Sequence, residues 1–428
     1  MSMAALNGKA LSGTKTAFFG WHVVAAVFVL ATFGWGLGFY GPPIYLHAVR
    51  ELRGWSVNLI STAVTVHFLF GAIVIANLPR LYRRFGLARV TKAGSLALAI
   101  GISGWALAQQ PWQLFVAALF SGGGWVTMGA AAVNAIVAPW FVRKRPAALA
   151  SAYNGSSIGG VVFSPLWVAA IGLLGFQWAA IAIGLFVVAT IWILADLYYS
   201  QTPDSLGMHP DGDTPQAAAI TPPDSFVKPL PAQVWKDWRF VTLAAGMALC
   251  LFAQAGLFAH LFSLLVPALG AQAAGFAAGG ATAAAIAGRM LVGWLMPAGA
   301  DRRLFSCANA VVQIFGSLAF FFAGGDKIPL LLLGIVLFGA GLGNTTSLPP
   351  MIAQSEFSKE DVSRVVPLIV AIGQGTYAFA PAVFAFIREL APRWGSISPG
   401  AAPCLFLAAA LIQTLAVVAF LIGRARKS

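Results

Sequence analysis

The sequence predicts an all-α membrane protein: twelve transmembrane helices in two pseudo-symmetric six-helix bundles. Three observations predict it. Of the 428 residues, 59% are apolar and 9% charged, against about 25% charged in an ordinary soluble domain, so there is too little charge to solvate that much apolar surface. The apolar residues fall into runs of about 20 residues or more, long enough for a helix to cross ~30 Å of hydrocarbon. A polar, proline-rich stretch from Ser200 to Trp238 divides these runs six and six, as in membrane folds built from two repeated bundles. The composition excludes a disordered chain, a soluble enzyme domain and a collagen-like fibre.

In chain order, spans 1–6 are expected over roughly residues 19–48, 57–79, 90–109, 112–139, 147–172 and 176–199, and spans 7–12 over roughly 240–269, 272–297, 304–324, 328–353, 365–389 and 400–423. The N-terminal bundle is thus 19–199, the central loop 200–238 and the C-terminal bundle 239–423, with tails at 1–18 and 424–428. The run that begins at Phe18 is too long for the apolar region of a cleavable signal. Span 1 carries Gly34, Gly36, Gly38, Gly41, Pro42 and Pro43, which allow close helix approach and a bend. Tyr40 sits within that bend and is expected at a cavity.

Span 2 holds His67, span 4 Thr127 and Asn134, span 5 Tyr153, Asn154 and Ser157, and span 7 His260. Span 10 has Asn344, Thr345 and Thr346 ahead of Pro349-Pro350, and span 11 has Gln374 and Tyr377 on one face. Spans 3, 6, 9 and 12 are poorer in polar groups, with Asn309, Gln313 and Gln413 as exceptions. That division is the one a central cavity with four outer supporting helices would produce.

Loop charge sets the expected orientation. With the N-terminus on side one, 20 of the 26 basic residues fall on that side and five on the other. This positive-inside bias places both termini and the central loop in the cytoplasm of a cell whose inner membrane the chain spans. The net charge of +13 is therefore read as topology and headgroup contact, not nucleic-acid binding. Cys250, Cys307 and Cys404 lie at irregular spacing in apolar segments, which gives neither a disulfide framework nor a zinc site.

The thirteen acidic residues all fall in loops or at helix ends. Exporters of cations usually need a buried carboxylate, and none is expected here. Arg289, in span 8, is the one fixed charge expected within the membrane. A guanidinium there costs roughly 2.5–3.5 kcal/mol on the insertion scale and stays charged. With no acidic neighbour in sequence, its expected partner is an anion that comes and goes, and its fork fits a carboxylate bidentately. The alternative is an arginine snorkelling toward a helix end about 12 Å away. His67 and His260 are candidate proton carriers or substrate donors, or neutral histidines bonded to neighbouring helices. No catalytic set and no cofactor motif emerges: H-E-x-x-H and the Walker loop are both missing from the sequence.

Several motifs stand out: Gly20-Trp21, Gly54-Trp55-Ser56, the basic 2–3 loop from Arg80 to Arg89, Trp140-Phe141 with Arg143-Lys144-Arg145, the central-loop stretch from Thr202 to Asp213, and the segment from Leu348 to Pro381. In these the chain resembles the major facilitator superfamily, and within it the bacterial branch related to monocarboxylate transporters and oxalate/formate antiporters. Most specific is Gly288-Arg289-x-x-x-Gly293. The branch implies that Arg289 binds a carboxylate. The sequence departs from it in four places: Arg83 stands where an aspartate is usual, and Ala285 replaces the aspartate one turn before the arginine. Pro43 replaces a span-1 lysine, and Gln374 is the nearest polar group to the antiporter's second cation.

The function expected is secondary transport of a small organic anion, a monocarboxylate, by rocking of two halves around a midplane site, with no enzymatic activity. Its partners would be that anion, protons or a counter-anion, and the lipid bilayer, and a monomer is expected. Arg289 would hold the carboxylate. Tyr40, His260 and Gln374 would orient it, and Tyr377, Asn344, Tyr153, Asn154 and His67 would complete the site. Two alternatives stay open: a facilitator for a neutral or amphipathic solute with Arg289 structural, and a non-transporting membrane sensor.

Overall fold

The computed structural model describes residues 18–212, 234–297, 300–390 and 400–424. Of the expected tails, residues 1–17 and 425–428, and of the central loop, residues 213–233, lie outside the described residues. Among the described residues every regular element is helical.

Among the described residues, eleven helical runs are long and apolar enough to cross a membrane. The longest, Arg145–Tyr199, has 55 residues, about 80 Å at 1.5 Å per residue, which is two crossings. Gly175, with φ 76° and ψ 159°, breaks it into residues 145–174 and 176–199, spans 5 and 6. The remaining spans are 1 (Phe19–Arg53), 2 (Val57–Phe85), 3 (Leu87–Leu107), 4 (Pro111–Trp140), 7 (Trp238–Leu269), 8 (Ala271–Leu295), 9 (Arg302–Ala323), 10 (Ile328–Glu356), 11 (Arg364–Leu390) and 12 (Pro403–Arg424).

Several expected bounds move. Span 2 continues past residue 79 to Phe85 and span 3 begins at Leu87. The basic Arg80, Arg83 and Arg84 therefore sit on helix, and Gly86 at φ 83° makes the whole turn. Span 10 runs through Pro349 and Pro350 to Glu356. Span 1 is not continuous: it breaks at residues 39–41 and resumes as Pro42–Arg53.

The two halves repeat one packing plan. Span 1 packs on span 5 as span 7 does on span 11, and span 2 on span 4 as span 8 does on span 10. Spans 3 and 4 pair as do 9 and 10, and 3 with 6 as 9 with 12. With lipid outside, such seams depend on close backbone approach. A Cβ at Gly122 would sit 2.1 Å from the His67 carbonyl of span 2, and one at Gly288 2.1 Å from the Ala340 carbonyl of span 10.

The chain's central loop leaves from the same face at which span 1 begins, here called the loop face. Two ionic devices organise it. In the C-terminal half Arg303 is 1% exposed. Its Nε and Nη2 each donate to Glu356 at 2.8 Å, Nη1 donates to Thr242 at 3.1 Å, and Nη2 also donates to the Arg239 carbonyl at 2.9 Å. This pair ties the ends of spans 7, 9 and 10. The sequence places Arg303 in a basic loop; the helix begins at Arg302 and turns Arg303 inward.

In the N-terminal half the central loop docks. The Asp211 carboxylate accepts hydrogen bonds from the backbone N–H groups of Val142, Arg143 and Lys144 at 3.1, 2.8 and 3.1 Å. Burial works against the charged form, but these three donors and the Arg143 guanidinium outweigh it and hold the carboxyl below the usual aspartate range.

Candidate functional site

The break in span 1 follows from chemistry. Pro42 has no N–H, so the Gly38 carbonyl loses its helical donor. His67 of span 2 supplies one, Nε2 to Gly38 oxygen at 3.0 Å. A carbonyl only accepts, so Nε2 carries the proton, and Nδ1 lies 2.8 Å from the Ser121 hydroxyl of span 4. Ser121 in turn accepts from Trp105 Nε1 at 3.1 Å. The Leu37 carbonyl takes the Tyr45 hydroxyl at 3.1 Å. His67 is thus a buried structural clamp on spans 1, 2 and 4.

A path opens from the loop face. Along span 1, Trp21, His22, Ala25, Phe28, Val29, Thr32, Trp35, Phe39 and Tyr40 are partly or fully exposed, at helical spacing, between buried neighbours. Span 7 shows the matching stripe at Val241, Ala245, Leu249 and Phe252; from Ala253 to Leu265 every residue is buried.

Contacts between the halves seal the other end, the far face. Phe39 stacks on Phe258 with centroids 6.1 Å apart, Phe68 meets Tyr377 edge-on at 5.5 Å and His47 meets Phe262 at 5.2 Å. Glu389, at the end of span 11, accepts from the Asn58 backbone N–H at 3.0 Å and from its side-chain amide. Spans 5 and 8 touch along the same sealed stretch, where Cβ atoms built at Gly160 and Gly275 would meet Thr282 and Val168.

Arg289 stands six residues before the end of span 8, about 9 Å by helical rise. It is half-buried, and among the described residues no carboxylate pairs with it. Its Nε is buried with no hydrogen-bond partner. The side chain lies over Gly343 of span 10: a Cβ there would come within 3.0 Å of both Nε and Nη2. A Cβ built at Gly160 of span 5 would meet both the Tyr40 ring and Thr282, which stands two turns before Arg289 on span 8.

The structure gathers some of the expected site residues. Tyr40 lies beside Thr282, on the span that carries Arg289. Asn344 is buried and donates to the Gly288 carbonyl at 3.2 Å, bracing the turn that carries the arginine. The Tyr153 hydroxyl accepts from Asn134 at 2.6 Å and donates to the Ala130 carbonyl at 3.1 Å. Asn154 is exposed and Gln374 half-buried. Tyr377 joins the far-face seal.

Two expected members lie elsewhere. His67 spends both ring nitrogens on the span-1 clamp. His260 is fully buried within the sealed part of span 7, with Nε2 3.0 Å from the Pro381 carbonyl and Nδ1 without a partner. Thr282, Gly343 and Trp35 belong to this region and were not among the expected residues. Only the spacing of Thr282 and Arg289, seven apart and so on one helix face, was visible as a signal.

The major facilitator superfamily model matches residues 23–381. A fungal protein named MFS-type transporter 1, from an Ophiocordyceps species, is 31% identical over 186 residues, 42% of this chain and 40% of that one. The MFS transporter asaE of Aspergillus flavus is 24% identical over 384 residues, 86% of this chain and 80% of that one. The aspyridones efflux protein apdF of Emericella nidulans is 27% identical over 166 residues, covering 38% and 33%. Among solved structures, a mutant of the nucleoside transporter NupG superposes with TM-score 0.69 at 12% identity, covering 94% of this chain and 99% of that one. An inward-facing, unoccupied bacterial homologue of the lysosomal transporter Spinster does so with TM-score 0.67 at 15% identity, covering 96% of each chain. At these identities the structures report the fold alone. With the family model spanning most of the chain and twelve helices paired as two repeated bundles, the protein belongs to the Major Facilitator Superfamily and is a membrane transporter rather than an enzyme.

Proposed function

We propose that this transporter carries an organic monocarboxylate by alternating access, with Arg289 as the carboxylate-binding group. The observation that supports it is the arginine itself: a guanidinium within a span, its Nε buried and unpartnered, opposite an open path in which no described carboxylate meets it. A charge kept there at a cost of several kcal/mol is best accounted for by a counter-charge that arrives with the substrate. The resemblance to the monocarboxylate branch at Gly288-Arg289 supports the same reading. The loop face, bearing most of the basic residues, is the cytoplasmic face, so the chain stands inward-open.

The coupling reading changes with the geometry. With His67 and His260 both bonded to carbonyls and set apart from the two exposed stripes, exchange or uniport fits better than symport through a histidine. The second reading, a carrier of amphipathic solutes, draws on the largely apolar stripes and on the relative named as an aspyridones efflux protein.

The test is binding by well-folded Arg289 variants. Losing a hydrogen bond to a charged group costs roughly 1.5–3 kcal/mol, about ten- to over a hundredfold in affinity. Arg289→Gln should lose carboxylate binding by that factor, and Arg289→Lys should fall between, because it keeps charge without the planar fork. Parent-like binding by folded Arg289→Gln would leave the amphipathic-solute reading.

A further inference from the structure

We infer that the carboxylate taken by this site carries an aromatic body, and that Trp35 is the residue that selects for it. This rests on the anion reading of Arg289 and narrows it.

The inner wall of the N-terminal half is a continuous run of rings. From Tyr40, beside Thr282 of span 8, it passes to Phe39 at 5.1 Å, to Phe68 at 6.1 Å, to Trp125 at 6.2 Å, to Trp35 at 6.1 Å and to Tyr153 at 6.2 Å, all between centroids. Some of these have a simpler explanation. Phe39, Tyr40 and Phe68 touch Phe258 or Tyr377 of the other half, so they close the far face whatever the substrate is. Trp35 and Tyr153 do not share that explanation. Their ring contacts stay within the N-terminal half, and both are partly exposed on the open side of the seal.

Trp35 is also held in place. Trp125 and Tyr153 meet it at interplanar angles of 85° and 80°, the edge-to-face geometry that aromatic pairs favour. Tyr153 is itself fixed by Asn134. The Trp35 carbonyl takes the backbone N–H groups of both Phe39 and Tyr40, at 3.0 and 2.9 Å, as span 1 breaks. A large indole is thereby presented to the path, one and a half turns before Tyr40. Arg289 and Tyr153 stand at similar depths on facing spans, about 9 and 12 Å from the loop-face ends of their helices.

A short-chain acid would satisfy Arg289 and leave this wall in contact with water. An aryl carboxylate would satisfy both, with its charge at the fork and its ring against Trp35. The span-7 stripe opposite, with Leu249 and Phe252, adds apolar surface and no competing charge.

The experiment measures binding of three probes to the purified full-length protein: phenylacetate, acetate and the neutral phenylacetamide. Phenylacetate should bind about tenfold or more tighter than acetate, as expected when a ring leaves water for an aromatic surface. Arg289→Gln should weaken that binding about ten- to over a hundredfold. Trp35→Ala should bring phenylacetate down to the level of acetate while leaving acetate unchanged, and Trp35→Phe, which keeps a ring and guards against a folding defect, should restore most of the preference. Equal, Arg289-dependent binding of acetate and phenylacetate overturns this inference and spares the anion reading. Tight phenylacetamide binding that ignores Arg289→Gln overturns the anion reading, and this inference with it. Binding of neither acid to folded protein overturns both.

Discussion

Glu389 caps the first turn of span 2 across the boundary between the halves, its carboxylate taking both the backbone N–H and the side-chain amide of Asn58. A carboxylate at a helix N-terminus meets unpaired N–H groups and the positive end of the helix dipole. The far face is therefore fastened by a polar contact as well as by rings, and alternating access requires that contact to break.

Removing it should shift the conformational balance. The term is worth about 0.5–1 kcal/mol at an exposed site, so Glu389→Ala should raise the population open at the far face roughly two- to fivefold. Labelling of a cysteine placed at Ala259, buried in the sealed stretch of span 7, by an impermeant maleimide applied from the far face would measure this. Unchanged labelling would show that the rings alone set the balance.

His67 should behave as structure. His67→Ala leaves the Gly38 carbonyl and the Ser121 hydroxyl short of partners and opens space, at about 1–3 kcal/mol for each buried group left unpaired. Thermal unfolding should fall sharply, while surviving folded protein binds substrate with parent affinity. Loss of affinity in folded His67→Ala would return this histidine to the path.

The Arg303–Glu356 pair predicts an asymmetric mutational response. Removing one partner leaves a buried charge, at about 3–5 kcal/mol, so Glu356→Gln should be strongly destabilising. Replacing both by apolar side chains of similar volume should recover much of that loss. A double variant no more stable than the worse single one would contradict this account.

Asp211 gives stability a pH dependence with a definite sign. Its folded carboxyl titrates below the usual range, so its contribution is complete above the ordinary aspartate value near 4 and is lost as pH falls through the lowered folded value. The unfolding midpoint of the parent should drop between about pH 4 and more acidic conditions by more than that of Asp211→Asn. The same variant should expose the central loop to protease at neutral pH. Parallel acid curves for the two proteins would remove Asp211 as the clamp.

The sequence by itself determined the helical membrane class, the two sets of six spans and the position of Arg289. Each depends on local quantities: apolar run length, the polar gap at residues 200–238, and one charge amid uncharged neighbours. It also marked span 1 as bent, because proline removes a donor wherever it stands. Tertiary structure alone decided what the polar side chains do. His67 and His260 look alike in sequence, each a lone histidine in an apolar span; His67 clamps the carbonyl that Pro42 orphans, and His260 sits in a sealed stretch. Arg303 reverses its expected place: by sequence it belongs to a basic loop, but span 9 turns it onto Glu356, 53 residues away. Among the described residues Arg289 has no carboxylate partner, and its buried Nε makes no hydrogen bond. Whether a polar group is spent on the fold or left free for a substrate depends on which distant groups the packing brings within about 3 Å, and that distance is not written in any local run of residues.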